Sequence, residues 1–151
     1  MGERAYSASA QIAAPCDTVW DALTDLPGYP AWNPFTVRVR SSLRVGDRVV
    51  MRVRLGWLTI PQVERVSEVV PPHRLAWRIA SPVPWLLRAE RVQLLTATPG
   101  GCTYTTVDTI GGLLQPVVHW LFGGALKRGF AGVARGLREH VERPVDAHVV
   151  E

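Results

Sequence analysis

The sequence predicts an α+β protein in which a curved antiparallel sheet packs against one long carboxy-terminal helix. Between residues 36 and 110 the apolar residues recur mainly with period two, and after Gln115 they recur at spacings of three and four. No helix alternates with these strands, so parallel pairing through crossover helices is not expected. At 151 residues the chain has the length of one domain. We expect a single domain over 1–151 with a frayed tail over 143–151.

The first element is predicted as a strand over residues 4–13, followed by a short helix. Pro15 and Asp17 are typical of a first helical turn, because proline fits there and a carboxylate favours the positive end of the helix dipole. The apolar residues that follow recur at helical spacing: Val19, Trp20, Leu23 and Leu26. Prolines between residues 27 and 34 end this helix and leave a compact aromatic turn with room for one more helical turn.

The middle of the chain is predicted to hold a hairpin and four further strands. The hairpin turns at Gly46-Asp47 and has one apolar face and one arginine-rich face, which is typical of a half-buried sheet. We therefore expect no nucleic-acid partner for these arginines. Breaks containing proline, or proline with glycine, separate the further strands, which are predicted at 58–70, 74–80, 86–97 and 102–110.

The last element is predicted as one long helix from Gln115 to Pro144. Five glycines lie within it, at positions 123, 124, 129, 132 and 136, and each forgoes about 1 kcal/mol of helix stability relative to alanine. Either the helix backbone closely approaches the sheet or the first helix, or the first turns are soft and act as a gate. Because one helix cannot fill the concave face of a sheet with about seven strands, we expect a cavity between them.

Composition excludes several classes of protein. Hydrophobic residues make up 47% and charged residues 20%, with a net charge of +4, which is typical of a globular chain. Cys16 and Cys102 form no C-x-x-C pair and are interpreted as free thiols, which fits a cytoplasmic protein. The four histidines have no metal-ligand spacing and no glycine-rich nucleotide motif is present, so no metal and no cofactor is expected. The apolar stretch over 111–126 is too short and too interrupted to predict a transmembrane segment.

Four stretches of the chain resemble the START-like superfamily, also called SRPBCC or the polyketide cyclase/dehydrase and lipid transport family, which includes the major birch pollen allergen. They are IAAPCDTVWDALTDLPGYPAWNPF at 12–35, HRLAWRI at 73–79, AERVQLLTATPGGCTYTTVDTIGGLL at 89–114 and LFGGALKRGFAGVARGLREHVE at 121–142. The resemblance implies a helix-grip fold, with about seven strands around a long carboxy-terminal helix and two short helices after the first strand. It implies no catalytic motif, because lipid carriers, cyclases, aromatases and stress-response binders share the fold.

The hairpin around Pro99 suggests the candidate catalytic residues. Pairing across a three-residue turn places residues whose numbers sum to about 200 opposite each other. If Val92 and Leu94 face the core, Arg88 and Glu90 share their face, and Glu90 lies beside Asp108 or Ile110. Two roles are possible for these charged side chains: Arg88 neutralises Glu90 at the solvent-exposed margin of the sheet, or the carboxyl groups transfer protons to a ligand. If the numbers of opposing residues sum to an odd value instead, Asp108 and Glu90 lie on different faces of the sheet. The candidate catalytic residues are Glu90, Asp108 and, at the start of the last helix, His119.

The candidate ligand-binding residues are aromatic, apolar or polar side chains expected to face the interior. They are Trp32, Phe35, Trp77, Arg88, Tyr104, Thr106, Ile110, Phe122, Leu126 and Phe130. The first hypothesis is a binder, monomeric or homodimeric, of a hydrophobic lipid-, polyketide- or aromatic-type small molecule. The second is a polyketide-type cyclase, aromatase or dehydratase that folds a poly-β-carbonyl chain in the same cavity. The third is a protein-binding module that uses the long helix or the basic sheet face.

Overall fold

The computed structural model describes residues 3–79 and 81–143. In chain order the elements are β1 (Glu3–Ile12), α1 (Cys16–Thr24), a 3₁₀ helix (Leu26–Ala31), β2 (Thr36–Arg40), β3 (Arg48–Leu55), β4 (Leu58–Val70), β5 (Arg74–Ile79), β6 (Arg88–Thr98), β7 (Gly101–Gly111) and α2 (Gln115–Glu142). Apart from Arg143, the predicted frayed tail lies outside the described residues.

All seven strands belong to one antiparallel sheet with the order β1-β7-β6-β5-β4-β3-β2. The first two strands are therefore the two edges, and α1 with the 3₁₀ helix carries the chain from one edge to the other. Helix α2 packs against β1, β7 and β3. This arrangement confirms the helix-grip fold, including the two short helices after the first strand. No helix among residues 3–79 and 81–143 has the length and apolar character that crossing a membrane requires.

The core lies between the sheet and the helices. Alternate residues of β3 and β5, such as Met51 and Trp77, point inward, because period-two strands place every second side chain on one face. From the helical layer, α1 and α2 contribute buried apolar residues at spacings of three and four: Val19, Leu23, Leu126, Phe130, Val133 and Leu137. The inward-facing residues of the strands and of the helices together form the interior surface that contains the candidate site.

Two glycines of α2 lie directly against the segment that precedes β2. A Cβ atom on Gly129 would lie 2.3 Å from Cδ1 of Phe35, and one on Gly136 would lie 2.2 Å from the carbonyl oxygen of Trp32. No side chain fits at these separations, so glycine allows the close approach that one of the two sequence interpretations expected. The neighbour is the segment over residues 32–35 rather than a strand or α1.

The β6–β7 hairpin differs from its predicted register by one residue. Its turn contains two residues, Pro99 and Gly100, so opposing residues sum to 199 rather than 200. On β7 the predicted inward face is correct, since Tyr104, Thr106 and Ile110 are buried. On β6 the predicted face is wrong, because a one-residue slip exchanges the two faces of a strand. The buried residues of β6 are Arg91, Gln93 and Leu95.

Candidate functional site

A cavity of about 190 Å³ lies between the concave face of the sheet and α2. An engineered cavity of about 150 Å³ in another protein holds benzene, so this one has room for a compact ligand of roughly one ring. The wall is mainly apolar, and five of the predicted ligand-binding residues line it: Phe35, Trp77, Ile110, Phe122 and Leu126. The polar side chains on the wall are Thr36, Gln62, Glu64, Arg91 and Asp108.

Arg91 carries the positive charge of the cavity wall, and it is only 5% exposed. Its Nε donates a hydrogen bond to Oγ1 of Thr106 at 3.0 Å, and its Nη1 donates one to Oγ1 of Thr36 at 3.3 Å. The guanidinium carbon lies 5.0 Å from the ring centre of Phe130 and 5.9 Å from that of Phe35, within the range of cation–π attraction. These contacts from β7, α2 and the segment at β2 fix the guanidinium in place.

One nitrogen of this guanidinium, Nη2, is buried and has no hydrogen-bond partner within the described residues. The ion pairs of this part of the chain join Arg74 to Glu68, Arg88 to Glu3, and Arg138 to Glu142, and none of them involves Arg91. A buried donor without an acceptor costs about 1–3 kcal/mol, more when it is charged. Arg91 therefore retains one buried hydrogen-bond donor without an acceptor among the described residues.

Two carboxyl groups share the cavity wall with Arg91, Glu64 on β4 and Asp108 on β7. The pKa of Glu64 is raised from 4.5 to about 8, mainly by burial and also by the charge of Asp108, with Arg91 opposing both effects. Burial also raises the pKa of Asp108 from 3.8 to about 6, against the opposing effect of Arg91. At neutral pH Glu64 is thus mainly protonated and Asp108 mainly ionised. An acid and a base of different strength face one space, which is the usual arrangement for proton transfer.

The other predicted ligand-binding residues except Arg88 are buried behind the wall rather than on it. Tyr104 donates its hydroxyl hydrogen to Oε1 of Gln93 at 2.5 Å, and Thr106 holds Arg91. Phe130 packs on Phe35 with ring centres 4.7 Å apart. Trp32 packs on the ring of Tyr29 at 4.9 Å. These residues support the cavity wall, and none of them lines it.

Three predicted site residues lie away from the cavity. Glu90 is exposed and accepts a hydrogen bond from Oγ of Ser67, and Arg88 forms an ion pair with Glu3 at 3.1 Å. The expectation that Glu90 and Arg88 share the core face was wrong, because the 199 register turns both to the outer face of the sheet. His119, in the first turns of α2, is also absent from the cavity wall. Its Nδ1 lies 2.6 Å from the hydroxyl oxygen of Tyr6 on β1.

The sequence analysis missed Glu64 and Arg91, although the signal for each is present. Glu64 alternates with Val66 on β4 and lies opposite the buried Val49 of β3, so period-two counting across the hairpin finds it. A two-residue turn at Pro99 and Gly100 places Arg91 opposite Asp108, and this pairing predicts that Arg91 faces the interior.

Exposed aromatic side chains occur in three segments that also contribute residues to the cavity wall. The β3–β4 turn carries Trp57 (91% exposed), the connection before β6 carries Trp85 (62%), and the start of α2 carries Trp120 (82%). The neighbouring residues Leu55, Leu87 and Phe122 lie on the cavity wall.

Comparisons with known proteins agree with this architecture. The family model described as "Polyketide cyclase / dehydrase and lipid transport" matches residues 4–143. Oxopyrrolidines biosynthesis cluster protein O of Penicillium oxalicum is 32% identical over 160 residues, covering 81% of this chain and 78% of that protein.

Solved structures with the same fold include the ZhuI aromatase/cyclase of Streptomyces sp. R1128, with a TM-score of 0.78 and 18% identity over 97% of this chain and 98% of that one. Protein MLL2253 of Mesorhizobium loti has a TM-score of 0.70 and 25% identity over 93% and 98%. The match over nearly all described residues means that the chain belongs to the polyketide cyclase / dehydrase and lipid transport family.

Proposed function

We propose that this protein binds a compact polyketide-type carbonyl compound in its cavity and promotes ring closure or loss of water by proton transfer. The observation that carries the proposal is Arg91, which lies on the same wall as Glu64 and Asp108 and whose buried Nη2 has no hydrogen-bond partner among the described residues. Family membership and the similarity to an aromatase/cyclase support a polyketide-related ligand.

Arg91 serves as the donor to the oxygen that becomes negative. When a carbon beside a carbonyl group loses a proton, the charge moves to the carbonyl oxygen, and a fixed guanidinium stabilises that charge without reorganising. The threonine hydroxyls and phenyl rings around Arg91 supply this fixed position. The free Nη2 then donates to the enolate oxygen.

Asp108 and Glu64 divide the proton transfers between them. Ionised Asp108 removes the proton from carbon, and the resulting enolate attacks a second carbonyl carbon of the same chain to close a ring. Protonated Glu64 supplies a proton to the new alkoxide and becomes a carboxylate. For the loss of water, this carboxylate removes a proton from the neighbouring carbon, and Asp108, now protonated, donates its proton to the departing hydroxyl group, so that both residues return to their starting forms. The pKa values of about 6 and about 8 give each group the required form near pH 7.

The apolar wall supplies the remaining requirement, which is a folded substrate. Trp77, Phe122 and Leu126 leave only about 190 Å³ of space, so an extended chain must bend to enter. In solution the two reacting carbon atoms of a flexible chain rarely meet. A cavity that holds them close together makes this encounter frequent, and this effect alone accelerates ring closure.

A second candidate function is binding without chemistry. The predominance of apolar residues in the wall favours it, because buried apolar area contributes roughly 25 cal/mol per Å² to the affinity. In that case Arg91 only orients the ligand. The two functions differ in what the loss of a carboxyl group does.

The distinguishing experiment uses heptane-2,4,6-trione, which closes to orcinol with the loss of one water. Asp108→Asn and Glu64→Gln are expected to lower the rate of orcinol formation roughly 10²–10⁴-fold while the trione still binds. Glu90→Gln is the matched control on the outer face, and its rate should equal that of the unmodified protein. A protein that binds the trione yet forms orcinol no faster than buffer is a binder, and the catalytic proposal then fails.

A further inference from the structure

The two cysteines, which lie 86 residues apart in the sequence, meet in the core. Cys16 is the first residue of α1 and Cys102 is the second residue of β7, and their Sγ atoms lie 2.7 Å apart. Both are free thiols, and Cys16 donates its hydrogen to the sulfur of Cys102. The chain contains no other cysteine, so neither thiol has a competing partner within the molecule.

We propose that Cys16 and Cys102 are a redox pair that closes to a disulfide when a small-molecule disulfide such as oxidised glutathione is present. The argument is geometric, because a disulfide requires side chains that already face each other across a short distance. Here the two sulfurs lie 2.7 Å apart, so closure to a disulfide shortens an existing contact.

The two thiols have different parts in the reaction. Cys16 is 8% exposed, whereas Cys102 is fully buried, so Cys16 meets the oxidant first. Its thiolate attacks one sulfur of oxidised glutathione, which releases one glutathione and leaves a mixed disulfide. Cys102 then loses its proton and attacks the Cys16 sulfur, which releases the second glutathione. Two thiols and one oxidised glutathione thus yield one protein disulfide and two reduced glutathiones.

The second step is the slower one. Burial raises the pKa of Cys102 to about 12. Only the thiolate attacks a disulfide, so little of Cys102 is reactive at any moment. The contact between the sulfurs compensates, because the attack is intramolecular.

The disulfide ties the start of α1 to the strand that also carries Asp108. Joining residues that far apart in sequence restricts the unfolded chain strongly. The expected consequence is a rise in melting temperature of roughly 10 °C for a domain of this size. Reduction with dithiothreitol should reverse the rise.

The test uses the full chain, purified with reductant and then incubated with oxidised glutathione. After unfolding in N-ethylmaleimide, intact mass spectrometry should show a species that has lost two hydrogens and takes up no maleimide. Cys102→Ser should stop at one glutathione adduct on Cys16, and Cys16→Ser should remain unmodified because Cys102 is buried. The proposal is overturned if the unmodified chain keeps two alkylatable thiols, or if it accumulates glutathione adducts in place of the internal bond. Both of these outcomes are measured on the unmodified protein, so the test remains valid even if a serine variant folds poorly.

Discussion

Arg91 and Asp108 lie directly opposite each other on β6 and β7 and both face the cavity, yet they form no ion pair within 4.0 Å among the described residues. A buried ion pair with poor geometry gains little over its desolvation cost. In this structure, two threonine hydroxyls and two phenyl rings hold the guanidinium instead. The carboxyl group of Asp108 and one nitrogen of the Arg91 guanidinium are therefore not committed to each other, and each can interact with a ligand.

Replacing Arg91 with methionine should weaken the binding of carbonyl ligands selectively. Acetophenone and ethylbenzene have nearly the same size, but only acetophenone offers an oxygen to Nη2. We expect Arg91→Met to lower the affinity for acetophenone about tenfold, which corresponds to one charged hydrogen bond, and to leave that for ethylbenzene nearly unchanged. Titration followed by protein NMR measures both. Equal losses for the two ligands would indicate a collapsed cavity rather than a lost hydrogen bond.

The rate of orcinol formation should depend on pH as a bell-shaped curve. Activity rises as Asp108 ionises around pH 6 and falls as Glu64 loses its proton around pH 8. Glu64→Gln should lower the rate and remove the alkaline limb of the curve. A rate that increases steadily above pH 8 in the unmodified protein is inconsistent with Glu64 as the proton donor.

Stability should decrease as the pH rises, for the same physical reason. The folded pKa of Glu64 lies above its ordinary value of 4.5, so the folded state holds a proton that the unfolded state has lost. The free energy of unfolding therefore falls between about pH 4.5 and about pH 8. Glu64→Gln should exceed the unmodified protein by only about 1 kcal/mol at pH 5 and by about 4 kcal/mol at pH 8. Urea unfolding at the two pH values measures this, and Glu90→Gln, on the outer face, should leave the pH dependence as it is.

The glycines of α2 should tolerate alanine very differently. At Gly136 a Cβ would lie 2.2 Å from a backbone oxygen, so Gly136→Ala should destabilise the protein by about 2 kcal/mol. At Gly124 the nearest group is the flexible side chain of Arg128 at 3.2 Å, so Gly124→Ala should be neutral or stabilising by up to about 1 kcal/mol. Thermal unfolding of the two variants provides the comparison. If both variants gained stability, the close approach of α2 to Trp32 would be disproved.

The periodicity of the sequence was sufficient to predict the fold. Alternation on the strands, the proline breaks between them and the apolar stripe of the last helix each depend on local geometry that repeats over many residues. The order of elements then left few ways to pair the strands. An error of one residue at Pro99 did not disturb this prediction, since the hairpin exists in either register.

The site was predicted only in part, because its chemistry depends on single positions. Asp108 and the apolar residues Trp77 and Ile110 were expected on the inner face and line the cavity. Buried residues alternate along the first half of β7, and Trp77 lies in the buried run of β5. On β6 the inner face consists of Arg91, Gln93 and Leu95, whereas the outer face contains Val92 and Leu94. Hydrophobicity therefore favours the wrong face of this strand. The partners that reverse this preference, Thr36 and Thr106, come from other strands, and local sequence cannot identify them.

The turn at Pro99 and Gly100 has a consequence for how this protein can evolve. Surface turns usually accept inserted residues because nothing downstream depends on their length. In this hairpin, one added residue would shift the pairing by one position and change which side chains of β6 meet those of β7. Length variation at this turn therefore threatens the chemistry of the interior, even though both turn residues are exposed to solvent.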